Sequence, residues 1–354
     1  MLILIFSLGV LGGGYALTDA DHHVERRATT VFYDDFSSGQ IDTQKWDHDV
    51  SAHGGGNEEF QIYTPEKLNS YVKNGVLYIL PTLTADRFGA DIFRHGVLDL
   101  PALYGRCSGD WKGNKCLRKG DQIKPIMSGK LLSKASVRYG KIEVVAKLPK
   151  GDWLWPAIWM VPTEDHYGIW PRSGEIDIME SRGNTHYEQS WDGKPEGVTV
   201  EAVHIHYGPS WNNKKAPGVE YQLHNGHKFS DDYHTYWLDW TKDYLKLGID
   251  NHTIKAFITP PQGHWHEGHL QGDNIWASGG KDAPFDRPFK LILNVAVGGK
   301  FFNEGFKNYP YPQPWHDAYA NKSMEFWANR HLWQPTWHGE DVAMKVKSVK
   351  MVQY

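Results

Sequence analysis

The chain has 354 residues, of which 38 are basic and 42 acidic, giving a net charge of -4. That balance supplies no positive field for nucleic acid or an anionic membrane, so neither is expected as a partner. Aromatic residues are abundant, with 16 Trp, 18 Tyr and 14 Phe; a β core uses some of them, and indole faces also suit stacking on the C–H face of a pyranose.

Residues 2–11 are apolar and are followed by small residues up to Ala16. This reads as a secretory signal over residues 1–16, too short to span a bilayer. Residues 17–28 read as a polar leader and 29–354 as one domain. The only cysteines, Cys107 and Cys116, bracket a polar, turn-rich loop. In the extracellular compartment that the leader implies, the pair is expected to form a disulfide. Asn251-His252-Thr253 and Asn321-Lys322-Ser323 match the N-glycosylation acceptor pattern.

A first strand is expected over residues 31–36. Gly54-Gly55-Gly56 marks either a hairpin tip or a place where backbone passes close to something. Residues 72–79 read as strand, Asn-Gly turn and strand. Residues 137–147 alternate, with Ile142, Val144 and Ala146 facing a core. Trp155 and Trp237 are assigned to core packing. His204 and His206 share one strand face, a pair without an evident third metal ligand. Residues 236–249 form a hairpin around Lys242-Asp243. His264, His266 and His269 lie among Gly, Pro and Gln, and this stretch reads as a surface loop without a metal. Residues 289–299 form a strongly apolar inner strand, and residues 343–352 close the domain. Short strands between Gly/Pro turns imply a β-sandwich.

The most informative stretch is residues 173–181, Ser-Gly-Glu-Ile-Asp-Ile-Met-Glu-Ser. In a strand, Glu175 and Asp177 share one face, while Ile176 and Ile178 point into a core. Simple continuation would bury Glu180 among the isoleucines, at high cost. One extra residue, a β-bulge near Met179, returns Glu180 to the acidic face. A solvated acidic strand is the plain alternative. Three carboxylates on one face suit glycoside hydrolysis, in which a nucleophile and an acid flank the scissile bond. On a regular strand Glu175 and Glu180 would stand about 17 Å apart, so strand bending must help to bring them together.

Residues 167–180 resemble the signature of family 16 glycoside hydrolases, and specifically the laminarinase (β-1,3-glucanase) branch with its E-x-D-x-x-E pattern. The resemblance extends over nearly the whole chain from about Val31. It implies an all-β jelly roll of two curved antiparallel sheets with a concave substrate cleft. It further implies Glu175 as nucleophile, Glu180 as general acid/base, and Asp177 between them, raising the pKa of Glu180 and orienting Glu175. Asn57, Trp159, Trp170 and His206 match positions that contact sugar in that family, with core packing the alternative for the tryptophans. Gln61 is a weaker match. Many members hold a structural calcium through an Asp in the last strand; here Lys347 occupies that place, so no metal or cofactor is expected. The implied protein is a secreted, monomeric, retaining endo-β-1,3-glucanase acting on laminarin-type glucan. Animal glucan-recognition proteins, which resemble the same domain without its carboxylates, and family members acting on mixed-linkage glucan are the alternatives.

Overall fold

The computed structural model describes residues 28–108 and 116–354. The expected signal segment lies outside the described residues, as does most of the loop between the cysteines. The cysteines themselves are bonded, Cys107 to Cys116, with Cα atoms 5.9 Å apart. Cys116 packs in a small satellite core with Ile92, Phe93 and Leu100.

Two eight-stranded antiparallel sheets dominate. The sheet of functional interest contains β1 (Trp46–His48), β2 (Lys130–Val137), β3 (Leu154–Pro162), β4 (Glu175–Ser181), β5 (Val200–Ser210) and β6 (Phe289–Val297). Its order is β5-β4-β3-β6-β2-β1, with the short strands Asn213–Lys215 and Gly218–Gln222 on β5. The opposing sheet centres on Gly140–Lys147, which lies between His234–Trp240 and Met344–Gln353. Alternation dictates which faces meet. Ile176, Ile178, Val203, Ile205, Leu291 and Leu293 from one sheet pack with Ile142, Val144, Leu238, Trp240 and Val346 from the other.

Local chemistry fixes the turns. Asn74 and Gly75 both take positive φ, 52° and 69°, as a two-residue hairpin requires. The anticipated hairpin around Lys242-Asp243 joins His234–Trp240 to Tyr244–Ile249.

Some expectations are corrected. Trp237 lies on the outer face of its strand and donates to the Asp250 carbonyl at 3.0 Å; its alternation partners Tyr236, Leu238 and Trp240 take the core. Residues His264–Glu267 form a single helical turn with His264 and Trp265 buried, where a surface loop was expected. Burial pushes the His264 imidazole down to about 4. Thr84–Phe88, Leu100–Tyr104 and Lys322–Ala328 are helices of five to seven residues, too short to leave a helical period in the sequence. Lys347 lies with its ammonium 3.9 Å from the centroid of Tyr233.

Candidate active site

The acidic strand is bulged where the sequence requires it. β3 pairs Ile158 with Met179 but Trp159 with Asp177, and β5 pairs Asp177 with His204 but Glu180 with Ala202. One extra residue of β4 is thus accommodated between Asp177 and Glu180, and Ile178 and Met179 are both fully buried. The bulge turns Glu180 to the face of Glu175 and Asp177. Carboxylate oxygens of Glu175 and Glu180 each lie within 4.8 Å of an Asp177 oxygen.

The neighbouring strands complete the row. His206 stands opposite Glu175 and His204 opposite Asp177. Each imidazole leans one step along the row, a diagonal contact of the kind antiparallel strands permit. His206 Nε2 is 3.0 Å from Asp177 Oδ2 and 3.8 Å from Glu175 Oε1. His204 Nδ1 is 3.4 Å from Glu180 Oε2, close enough for charge attraction without hydrogen-bond alignment. Two indoles cap the ends. Trp170 Nε1 donates to Glu175 Oε2 at 3.1 Å, and Trp155 Nε1 donates to Glu180 Oε1 at 3.0 Å.

Trp155 packs in the core as expected, and its indole N–H additionally reaches Glu180. Each histidine of the pair lies near two carboxylates that the sequence did not place beside it. Glu175, Asp177 and His206, and separately Asp177, Glu180 and His204, each bring three donor atoms within 4.8 Å of one another. The sequence shows two histidines on one face but not the strand against which they lie, so the pairing of His204 with Glu180 was not read from it.

Burial and charge set the protonation of the row. Burial, and then the nearby Asp177 charge, push Glu175 up to about 8. Burial and the Glu180 charge drive Asp177 well above the usual carboxylate range. Burial also pushes Glu180 upward, but the attraction of His204 outweighs it and leaves Glu180 below its ordinary value. His204 is raised in return, because Glu180 overcomes the effect of burial. The expectation that Asp177 raises Glu180 is therefore not met in the ligand-free site, where the attraction of His204 leaves Glu180 lowered while Asp177 and Glu175 are raised.

The other anticipated residues surround this row. Trp159 lies opposite Asp177 on β3, and its Nε1 donates to Asn294 Oδ1 at 2.7 Å. The Lys130 ammonium lies 5.1 Å from the Trp159 ring centroid and 3.1 Å from Asp49 Oδ2. Gln61 is buried, and its Oε1 accepts from the Val297 amide at 2.8 Å, holding the end of β6.

Asn57 is fixed by its backbone. Its carbonyl accepts from the Lys300 amide at 2.7 Å, just beyond β6, and its own amide donates to Glu59 Oε1 at 3.1 Å. The preceding glycines wrap that buried Glu59 carboxyl, which burial lifts to about 7. Any side chain on Gly55, at φ 58°, would overlap the carboxyl, so close approach explains this glycine.

Two residues that were not anticipated close the Glu175 end. Trp211, beyond the C-terminal end of β5, packs against Trp170 with centroids 4.9 Å apart, and Lys214 Nζ lies over both rings at 4.1 and 4.7 Å. A methyl group built on Gly56 would sit 3.8 Å from Trp211 Cζ3. β5 and β6 run antiparallel to each other, so their C-terminal ends lie at opposite ends of the sheet. The glycine loop, anchored after β6, therefore meets the hairpin after β5 across the acidic face.

Of the two glycosylation candidates, Asn251 is exposed in the turn before His252–Ile258. Asn321 Nδ2 already donates to the Asp121 carbonyl at 3.1 Å.

Comparison with known proteins agrees with this geometry. The profile described as Glycosyl hydrolases family 16 matches residues 110–266. A β-1,3-glucan-binding protein of Penaeus monodon is 40% identical over 342 residues, covering 91% of this chain and 89% of that protein. A glucan endo-1,3-beta-glucosidase of Cryptopygus antarcticus is 30% identical over 299 residues, covering 82% and 87%. The crystal structure of the laminarinase from Rhodothermus marinus superposes with a TM-score of 0.57 at 25% identity, covering 92% of this chain and 97% of that one. Its strand architecture is the jelly roll expected from the sequence, and the chain belongs to glycosyl hydrolase family 16.

Proposed function

We propose that the protein is a secreted endo-β-1,3-glucanase that hydrolyses laminarin-type glucan with retention of configuration. The observation that carries this reading is the bulge, which gathers Glu175, Asp177 and Glu180 on one face with Asp177 within 4.8 Å of both glutamates. In the first step the Glu175 carboxylate attacks the anomeric carbon, while Glu180 gives its proton to the departing glycosidic oxygen. A glycosyl ester on Glu175 results. In the second step Glu180 takes a proton from water, whose oxygen displaces Glu175 from that carbon.

The scheme needs Glu180 protonated and Glu175 ionised in the complex. Asp177 has a raised proton affinity and stands next to each glutamate, so it can pass a proton between them. Trp159, Trp170, His206 and the Asn57 loop would contact the sugars. Secretion is supported by the apolar residues 2–11 and by the disulfide; among the described residues no helix is long and apolar enough to cross a membrane. We read the protein as a monomer with glycosylation at Asn251, the bond from Asn321 Nδ2 to Asp121 making Asn321 the poorer acceptor.

Release of reducing sugar from laminarin, set against lichenan and agarose, tests this reading. Laminarin is expected to be cleaved fastest, and proton NMR of early product should show the β-anomer. Early α-anomer would overturn the assignment of Glu175 as nucleophile. A second reading, non-hydrolytic glucan recognition, is favoured by the name of the 40% identical relative. Tight laminarin binding with no turnover would establish it.

A further inference from the structure

Glu180 is the start of an aromatic strip that leads away from the acid row. The Trp155 indole that donates to Glu180 lies flat on Phe301, with centroids 4.1 Å apart and planes 9° apart. The Arg182 guanidinium covers the same ring at 4.0 Å and reaches within 5.5 Å of the Phe306 centroid. Arg182 is held in place by the Phe301 carbonyl and by Glu196, each at 3.1 Å. Phe306 is stacked on Tyr187 at 5.2 Å and meets Trp191 edge-on at 5.7 Å. Trp155 is buried and Phe301, Arg182 and Phe306 are each half-buried, so the strip opens to solvent only beyond Trp155. Trp191 ends it and is 68% exposed, the most exposed large apolar side chain among the described residues.

A tryptophan left this open gains little from folding, and nothing in the packing accounts for it. Its ring is nonetheless held on one side by Phe306. Indole and phenyl faces stack on the C–H faces of pyranose rings, and a fixed guanidinium offers donors to hydroxyls at the edge.

We propose that the outer end of this strip is a glucan-binding track on the Glu180 side, with Trp191 as its platform and Phe306, Arg182 and Phe301 as the backing that holds it in place. This rests on the hydrolase reading for its direction. If Glu180 protonates the leaving oxygen, the track holds the departing end of the chain. Trp170 and Trp211, at the Glu175 end, hold the other.

The test compares wild type, Trp191→Ala and Trp191→Phe on laminarin and on short laminari-oligosaccharides. In Trp191→Ala the ratio of kcat/KM for laminarin to that for the short substrates should fall roughly 3- to 10-fold, the worth of one aromatic contact, mainly through KM. Trp191→Phe should recover most of the loss. An unchanged ratio would overturn the track. Electrophoresis through laminarin-containing gels separates this from failure of the hydrolase reading. If the wild type shows no turnover, Trp191→Ala must still be retarded less than wild type. Equal retardation of the two overturns the track whether or not the protein is an enzyme.

Discussion

At the Glu175 end of the row, an indole N–H donates to the carboxylate at 3.1 Å and an imidazole stands 3.8 Å away. At the Glu180 end the same parts recur, an indole at 3.0 Å and an imidazole at 3.4 Å. Both acids are largely buried, yet Glu175 is pushed up to about 8 and Glu180 is held below its ordinary value. Burial acts alike on both, so the difference lies in the neighbours. The largest charge effect on Glu175 is the repulsion of Asp177, whereas Glu180 is governed by the attraction of His204. The two ends are held apart in proton affinity in the sense opposite to the one the first step needs, so the proposed scheme requires a proton to move from the Glu175 end toward Glu180 when substrate binds.

The largest expected effect comes from removing one end entirely. Glu175→Ala should lose turnover on laminarin by a factor on the order of 10⁴ or more. Azide should restore part of it, yielding a glycosyl azide of inverted configuration. Glu180→Ala should lose about 10²- to 10⁴-fold on laminarin, yet far less on aryl glucosides whose leaving group needs no acid. Equal losses on both substrates would mean that the two ends are not chemically distinct.

Smaller changes adjust one end. Trp155→Phe removes the N–H on Glu180 but keeps most of the ring on Phe301. A hydrogen bond to a charged group is worth about 1.5–3 kcal/mol, so kcat/KM should fall roughly 10- to 100-fold. Trp170→Phe should cost a similar amount at the Glu175 end. His204→Gln removes the positive partner of Glu180, so that residue should keep its proton to higher pH. The alkaline limb of the kcat/KM profile should then move upward. Movement in the other direction would show that His204 does not govern Glu180.

The acidic end of this design was legible in the sequence, and much of its framework was not. Glu175, Asp177 and Glu180 lie within one strand, where the period of two and the cost of burying Glu180 together demand the bulge. The alternation of Ile142, Val144 and Ala146 likewise gave the core face directly. Residues that act across strands left no such trace. His204 became a partner of Glu180 only through the register of β5 on β4, and Trp155 only through a bulge that shifts its neighbours. Trp211 and Trp191 sit in turns beyond the ends of their strands, where no local pattern distinguishes a cleft residue from a surface one. Trp237 failed for a simpler reason. In the run Tyr236-Trp237-Leu238-Asp239-Trp240 one tryptophan must face out, and composition does not say which.

The smallest effect, and the sharpest control on the comparison, lies on the other face of β5. Glu201 points into the core at 1% exposure, and neither of its carboxylate oxygens has a hydrogen-bond partner among the described residues. Burial, aided by the negative charge of Asp250, holds it protonated well above its ordinary value of 4.5. It shows what burial does to an acid when no imidazole intervenes, the limit that Glu175 approaches and Glu180 escapes. An unfolded chain ionises this group near 4.5, while the folded chain keeps its proton, so above that point the folded state binds more protons than the unfolded state. Stability must then fall as pH rises. Glu175, raised to about 8, and Glu59, raised to about 7, act with the same sign. The melting temperature should therefore be lower at about pH 8 than at about pH 5. Glu201→Met keeps the length of the side chain and removes the titrating group. It should raise Tm by a few degrees at about pH 8, with less gain at about pH 5, because the cost it relieves is present only where the unfolded chain would be ionised. A Tm slope against pH that is identical in wild type and Glu201→Met would mean that Glu201 is not held neutral, and burial would lose its standing as the common background against which the two ends of the row are compared.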